Sequence, residues 1–244
     1  MHLHVLGSGS SGNLYILQNA NTALIIDAGI SFIEAKKELD FNISKVKGLL
    51  LDHCHGDHSK YIKDYLAVGI KCYAHADTWF QLGLSNHPFA IALKPLKNIT
   101  LHEFMIMPFE LVHDVTCLGF QITHPTTGNI IFMTDTKYSP YTFQNVNNWI
   151  VECNHSTDIL KAKVSEGLLD ISLANRVIEN HMSLEYVTEM LKSNDLRYTN
   201  KIVLIHASDS NSDVKYFKQR IESELGKETI VAEKGLKINF YNEL

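Results

Sequence analysis

The chain is written in short apolar runs, each closed by Gly, Asn, Ser or an acidic residue. His2–Leu6, Leu14–Leu17 and Ala23–Asp27 are apolar-rich or alternating and bounded by turn residues, the pattern of β-strands. Phe32–Leu39 predicts a short helix, Gly48–Asp52 a strand, and Ser59–Ala67 a helix with Ser59 at its N-cap. Lys71–Ala74 reads as a strand and Asp77–Leu82 as a helical turn or two. Ile99–Met107, Val115–His124 and Asn129–Thr134 form a hairpin-rich stretch, with Thr127-Gly128-Asn129 supplying the second turn.

The second half alternates strand and helix. Asn148–Glu152 and Lys201–Ile205 read as strands; Thr157–Ala162, Ile171–Glu179 and Asn211–Leu225 read as helices. Ser183–Leu191 is amphipathic, with Leu184, Val187, Met190 and Leu191 on one face behind a Ser183 N-cap. Ile230–Ala232 and Leu236–Phe240 are expected to finish as a hairpin. No low-complexity linker or shift in composition divides the chain, so residues 1–244 are expected to form one domain. The predicted class is α/β: two packed sheets with helices on both outer faces, a four-layer αββα sandwich.

Bulk properties narrow the class further. At 244 residues, 45% hydrophobic and 20% charged, the composition is that of a globular protein with a full core. No apolar run approaches the length of a membrane span, and the Met1-His2-Leu3-His4 start lacks the basic and apolar regions of a signal peptide. A cytoplasmic protein without membrane partners is expected. The four cysteines form no C-x-x-C pair, so reduced thiols are expected rather than a disulfide framework. Net charge is −5 and only Arg176, Arg197 and Arg220 are arginines, which leaves no clustered basic track for a nucleic-acid backbone.

Gly7-Ser8-Gly9-Ser10-Ser11-Gly12 follows a strand and matches the dinucleotide-binding spacing. That reading requires a helix beginning at the last glycines, to aim its N-terminus at the pyrophosphate. Asn13–Leu17 reads instead as a strand, so a tight glycine-permitted hairpin close to a ligand or metal is expected. Asn13 could hydrogen-bond within that loop, and Asp27 could orient a metal-binding histidine.

The chemistry concentrates in His53-Cys54-His55-Gly56-Asp57-His58, which follows the apolar run Leu49-Leu50-Leu51 and Asp52. Neutral imidazole and carboxylate are ligands for borderline divalent metals, and their close spacing calls for an irregular loop if all are to aim at one point. Further histidine or aspartate residues close other predicted strands: His113 after Met107–Val112, Asp135 after Ile130–Thr134, and His206 after Ile202–Ile205.

In this order the residues resemble the metallo-β-lactamase-fold hydrolases over nearly the whole chain. Gly7–Asn13, Leu24–Gly29, Glu152-Cys153-Asn154-His155 and His206–Asn211 resemble segments of the YycJ-type branch, whose neighbourhood includes phage anti-Pycsar cyclic-nucleotide phosphodiesterases. The resemblance implies two divalent ions, zinc foremost with Mn²⁺ or Mg²⁺ as alternatives. His53, His55 and His113 would hold one, Asp57, His58 and His206 the other, with Asp135 bridging. It implies phosphodiester hydrolysis, in which Asp57 also orients the nucleophile and His155 and His181 contact phosphate or protonate the leaving group. Asp52 departs from the pattern, where Thr or Ser is common, and is expected to be a solvated strand end. Because the chain is acidic, the expected substrate is a small cyclic mononucleotide, with a DNA exonuclease as the alternative. A non-phosphoester metallo-hydrolase and a non-catalytic metal-binding module are the remaining readings. By resemblance a homodimer is expected, and Cys153–His181 is expected to supply a lid or interface.

Overall fold

The computed structural model describes residues 1–240. In chain order the elements are β1 (His2–Gly7), β2 (Leu14–Gln18), β3 (Ala23–Ile26), α1 (Phe32–Glu38), β4 (Val46–Leu50), α2 (Gly56–Ser59), α3 (Ile62–Ala67), β5 (Cys72–His75), α4 (Ala76–Gln81), β6 (Ala90–Leu93), β7 (Ile99–Leu101) and β8 (Phe104–Leu111). They continue as β9 (Cys117–His124), β10 (Gly128–Met133), β11 (Val146–Glu152), α5 (Thr157–Ser165), α6 (Ile171–Asn180), α7 (Leu184–Lys192), β12 (Lys201–Ile205), α8 (Val214–Leu225), β13 (Glu228–Val231) and β14 (Lys237–Asn239).

Two seven-stranded sheets result, ordered β14-β1-β2-β3-β4-β5-β6 and β13-β12-β11-β10-β9-β8-β7. Strands β3 to β6 run parallel, as do β10 to β13. Among them β3, β10 and β12 are buried on both faces over most of their length, which is why they read as continuously apolar instead of alternating. Leu3, Val5, Leu24, Ile26, Phe120, Phe132, Ile150 and Val203 fill the space between the sheets. Phe32, Ala35, Ile62, Tyr65 and Trp79 from the helices cover the outside of the first sheet. Leu184, Val187, Leu191, Phe217 and Ile221 cover the outside of the second. This is the expected αββα layering.

Local departures follow from partners that pattern alone does not encode. Residues 230–232 and 236–240 do not form a hairpin: β13 runs parallel to β12 in one sheet, and β14 pairs antiparallel with β1 in the other. Apolar alternation marks both as strands but is silent on which edge each joins. Ser59 is not a helix N-cap. It ends the one-turn helix α2, and its hydroxyl donates to the Cys54 carbonyl at 2.7 Å. Ala90–Leu93, absent from the expected elements, adds an edge strand. Ser183 does cap α7, accepting from the Tyr186 N–H at 3.2 Å.

Candidate metal centre

The expected ligands come together at one end of the sandwich, where β3, β4, β10, β11 and β12 terminate. His53 and His55 lie on irregular backbone after β4, whereas Asp57 and His58 sit on the short helix α2 instead of continuing the loop. Two groups of metal-competent side chains form, His53, His55, His113 and Asp135, then Asp57, His58, Asp135 and His206; the ligand atoms of each lie within 4.8 Å of one another. Asp135 belongs to both. Its Oδ2 is 3.8 Å from His53 Nε2, 4.0 Å from His113 Nε2 and 3.4 Å from His58 Nε2. His113 Nε2 lies 3.3 Å from His55 Nδ1, and His206 Nε2 lies 3.6 Å from Asp57 Oδ2.

These separations fit a divalent ion. Ligand atoms about 2.1 Å from a tetrahedral ion stand roughly 3.4 Å from each other. The Nε2 atoms of His53 and His206 are also buried without a hydrogen-bond partner, an arrangement that costs free energy unless something else accepts their lone pairs.

Backbone strain sets the aim of three strand-end residues. Asp27, Asp135 and His206 have φ of 65°, 51° and 53°, in the left-handed region that Asp, Asn and His enter more readily than other non-glycine residues. Such conformations cost of order 1–3 kcal/mol each and persist where surrounding contacts hold them. The glycine hairpin in turn holds the neighbouring ligands Asp57 and His58. Asn13 N–H donates to the Asp57 carbonyl at 2.7 Å, its side-chain nitrogen lies 2.9 Å from His58 Nε2, and its Oδ1 accepts from Gly9 N–H at 2.8 Å. A Cβ on Gly29 would stand 1.7 Å from the Asp57 carbonyl oxygen, so only glycine permits this approach.

Behind the ligands lies a buried polar layer. His58 Nδ1 pairs with Asp27 Oδ2 at 2.9 Å, and Ser8 Oγ accepts from His206 N–H at 2.8 Å. Asp52, expected to be solvated, is fully buried and accepts from His53 Nδ1 at 2.9 Å. Glu152 had no expected role. It is fully buried, and its Oε1 accepts from His181 Nδ1 at 2.6 Å and lies 3.0 Å from His206 Nδ1. Its Oε2 accepts from Met182 N–H at 3.1 Å and Thr136 N–H at 3.4 Å. The signal for Glu152 was present: an acid closing an apolar strand, as Asp27 and Asp135 do.

Charge balance in the site is strongly perturbed. Burial pulls the His206 imidazole down, but Asp135, Asp57 and Glu152 outweigh it and hold its pKa up at about 10. Burial, with His53 nearby, lowers His113 to about 4. Asp135 is held well below the usual carboxylate range because His206 and His58 outweigh its burial. Without a cation, imidazole protons balance these carboxylates; metal binding would displace them.

A cavity of about 210 Å³ opens over the cluster, lined by His55, Asp57, His113, Arg176, His181 and His206 among others. His181 stacks on His206 with ring centroids 5.3 Å apart. His155, expected at the active site, stands back from the cavity: its ring is buried, its Nδ1 has no hydrogen-bond partner, and its carbonyl accepts from Leu184 N–H. Its backbone forms an isolated parallel bridge with Ser183, the N-cap of α7. Arg176 and Asp114 line the cavity without having been expected there; a single charged residue on a helix or in a loop carries no pattern that points inward.

A model of the metallo-β-lactamase superfamily matches residues 7–113. Exodeoxyribonuclease YycJ of Bacillus anthracis is 27% identical over 87% of this chain and 84% of its own length. Exodeoxyribonuclease WalJ of Streptococcus pneumoniae serotype 2 is 26% identical over 85% of this chain and 82% of its own. Among solved structures, the metallo-β-lactamase fold protein YhfI from Bacillus subtilis superposes with a TM-score of 0.72 at 18% identity, covering 98% of this chain and 99% of that one. This chain therefore has the metallo-β-lactamase fold, and over most of its length it is similar to the YycJ and WalJ exodeoxyribonucleases.

Proposed function

We propose that the chain is a metal-dependent phosphodiesterase that removes nucleotides from DNA ends. In this reading one ion is held by His53, His55 and His113, a second by Asp57, His58 and His206, and Asp135 serves both. The observation that carries it is the pair of ligand groups sharing one carboxylate, with unpartnered ring nitrogens turned inward. Five imidazoles with two carboxylates suit zinc first, with Mn²⁺ or Mg²⁺ as alternatives. Bound there, such ions would acidify a coordinated water and stabilise charge on the transferring phosphoryl group.

The chain's own groups supply the rest. Arg176 on the cavity wall offers a planar fork for phosphate oxygens. Burial lowers the His181 pKa, but the Glu152 carboxylate at Nδ1 outweighs it and holds the ring above the ordinary histidine value. His181 can then donate the proton on its other nitrogen, Nε2, to the departing alkoxide. Asp57 is held well below its usual range, since His206 and His58 outweigh its burial, so it stays an acceptor that can orient the attacking water.

The acidic sum of the chain pointed to a small cyclic mononucleotide, but it does not describe the cavity. Asp27, Asp52, Asp57, Asp135 and Glu152 are all drawn into the site, and two divalent ions would bring the formal charge from −5 to −1. The relatives named exodeoxyribonuclease support DNA ends over a cyclic mononucleotide. The test is a metal-replete panel of end-labelled linear DNA, closed circular DNA, RNA and cyclic mononucleotides. Loss of terminal nucleotides from linear DNA with circular DNA intact is the expected result. Turnover of cyclic mononucleotides alone would restore the small-substrate reading, and turnover of nothing would sink phosphodiester hydrolysis.

A further inference from the structure

The backs of two candidate ligands meet on one carboxylate. Asp52 follows β4 and is wholly buried. Its Oδ1 accepts from His53 Nδ1 at 2.9 Å and from the His53 backbone N–H at 2.5 Å. Its Oδ2 lies 3.0 Å from His58 Nδ1 but makes no aligned hydrogen bond; the aligned acceptor for that nitrogen is Asp27 Oδ2. On the opposite side of both rings, the Nε2 atoms of His53 and His58 face the same oxygen, Asp135 Oδ2, at 3.8 and 3.4 Å. The ring centroids are 4.2 Å apart. Two imidazoles therefore stand side by side with Asp52 behind and Asp135 in front. His53 belongs to the first ligand group and His58 to the second.

We propose that Asp52 is a positioning residue that couples the two metal subsites, its Oδ1 accepting from His53 Nδ1 and its Oδ2 standing beside Asp27 at 3.0 Å from His58 Nδ1, so that one carboxylate backs both rings while their Nε2 atoms face Asp135. This rests on the two-ion reading above. A buried acceptor on Nδ1 fixes a ligand histidine's tautomer and ring rotation. Because one rigid, desolvated group serves both rings, an ion that pins His53 also pins Asp52, and His58 then has less freedom to lose. Binding at one subsite thereby raises affinity at the other. A Thr or Ser here would offer one neutral oxygen, which cannot reach across both rings.

The test titrates chelator-treated wild type, Asp52→Asn and Asp52→Thr with Zn²⁺ by calorimetry, with circular dichroism confirming that each is folded. Wild type is expected to load two ions within one narrow concentration range. In the variants the two steps should separate by at least about tenfold, the scale on which partners of ligand histidines act on metal affinity. A residue that merely supports the fold would leave the spacing of the two steps unchanged, and that outcome overturns the proposal. A second measurement needs no variant: nitrogen NMR of zinc-loaded wild type should show a proton on Nδ1 of His53, the nitrogen that Asp52 accepts from. A proton on Nε2 of His53 would overturn it equally. Wild type that binds no zinc would overturn the two-ion reading, and this proposal with it.

Discussion

Glu152→Gln isolates the carboxylate that joins the ligand set to the expected proton donor. The replacement keeps shape and volume but removes the charge and turns one oxygen into an amide. Glu152 faces four donors: His181 Nδ1 and His206 Nδ1 on one oxygen, Met182 and Thr136 N–H on the other. Whichever way the glutamine amide is turned, two of the four lose their acceptor. A buried donor left unpaired costs about 1–3 kcal/mol, so the expected destabilisation is about 4 kcal/mol. For a chain of this length that corresponds to a fall of about 8–16 °C in melting temperature. Measuring it in chelator keeps metal affinity out of the comparison. In the phosphodiesterase assay, losing the oriented proton donor should lower turnover about 10²–10⁴-fold. A variant that melts within 2 °C of wild type, by the estimate above, and turns over substrate normally would refute the assignment of Glu152.

Other perturbations read separate parts of the site. If protonated His181 is the donor, activity should fall as pH rises through its raised pKa, and Glu152→Gln should move that limb to lower pH because burial then dominates; a pH–rate profile whose alkaline limb does not move would contradict this. His55→Ala removes a ligand whose side chain is only partly buried, so the fold should persist while bound metal falls and activity is lost; elemental analysis at wild-type metal content would refute it. Gly29→Ala drives a methyl group into the Asp57 carbonyl, and should cost about 3 kcal/mol in a thermal melt and weaken metal binding together. Homodimerisation is the expectation from resemblance, and Leu168, Ile171 and Leu173 are exposed at the start of α6 and the turn before it; light scattering should give twice the chain mass, and a monomer at micromolar concentration would contradict it.

What the sequence carried was chiefly the ends of strands. An apolar run marks a buried strand, and a polar residue closing it must sit where strands stop, so His113, Asp135 and His206 could be placed near one rim without knowing their neighbours. Layering was legible for the same reason, since two-sided burial leaves its mark on inner parallel strands such as β3, β10 and β12. Three-dimensional partners were not legible. Asp52 looked like a solvated strand end because the sequence does not show that His53 and His58 both turn their Nδ1 atoms toward it. Glu152 looked structural because its donors are distant in sequence, at His181 and His206. For His155, a histidine after a strand does not show which way its ring turns, and here the ring is buried and is not among the groups lining the cavity. The final two strands looked like a hairpin because short connections usually make one, yet their edges belong to different sheets.

The most direct measurement is anomalous diffraction from crystals grown with zinc or manganese. Two ions are expected, one within reach of His53, His55 and His113, the other within reach of Asp57, His58 and His206, with Asp135 touching both. A single ion, or an ion seated instead among Glu152, His181 and His206, would contradict the two-subsite site on which the proposed hydrolysis depends.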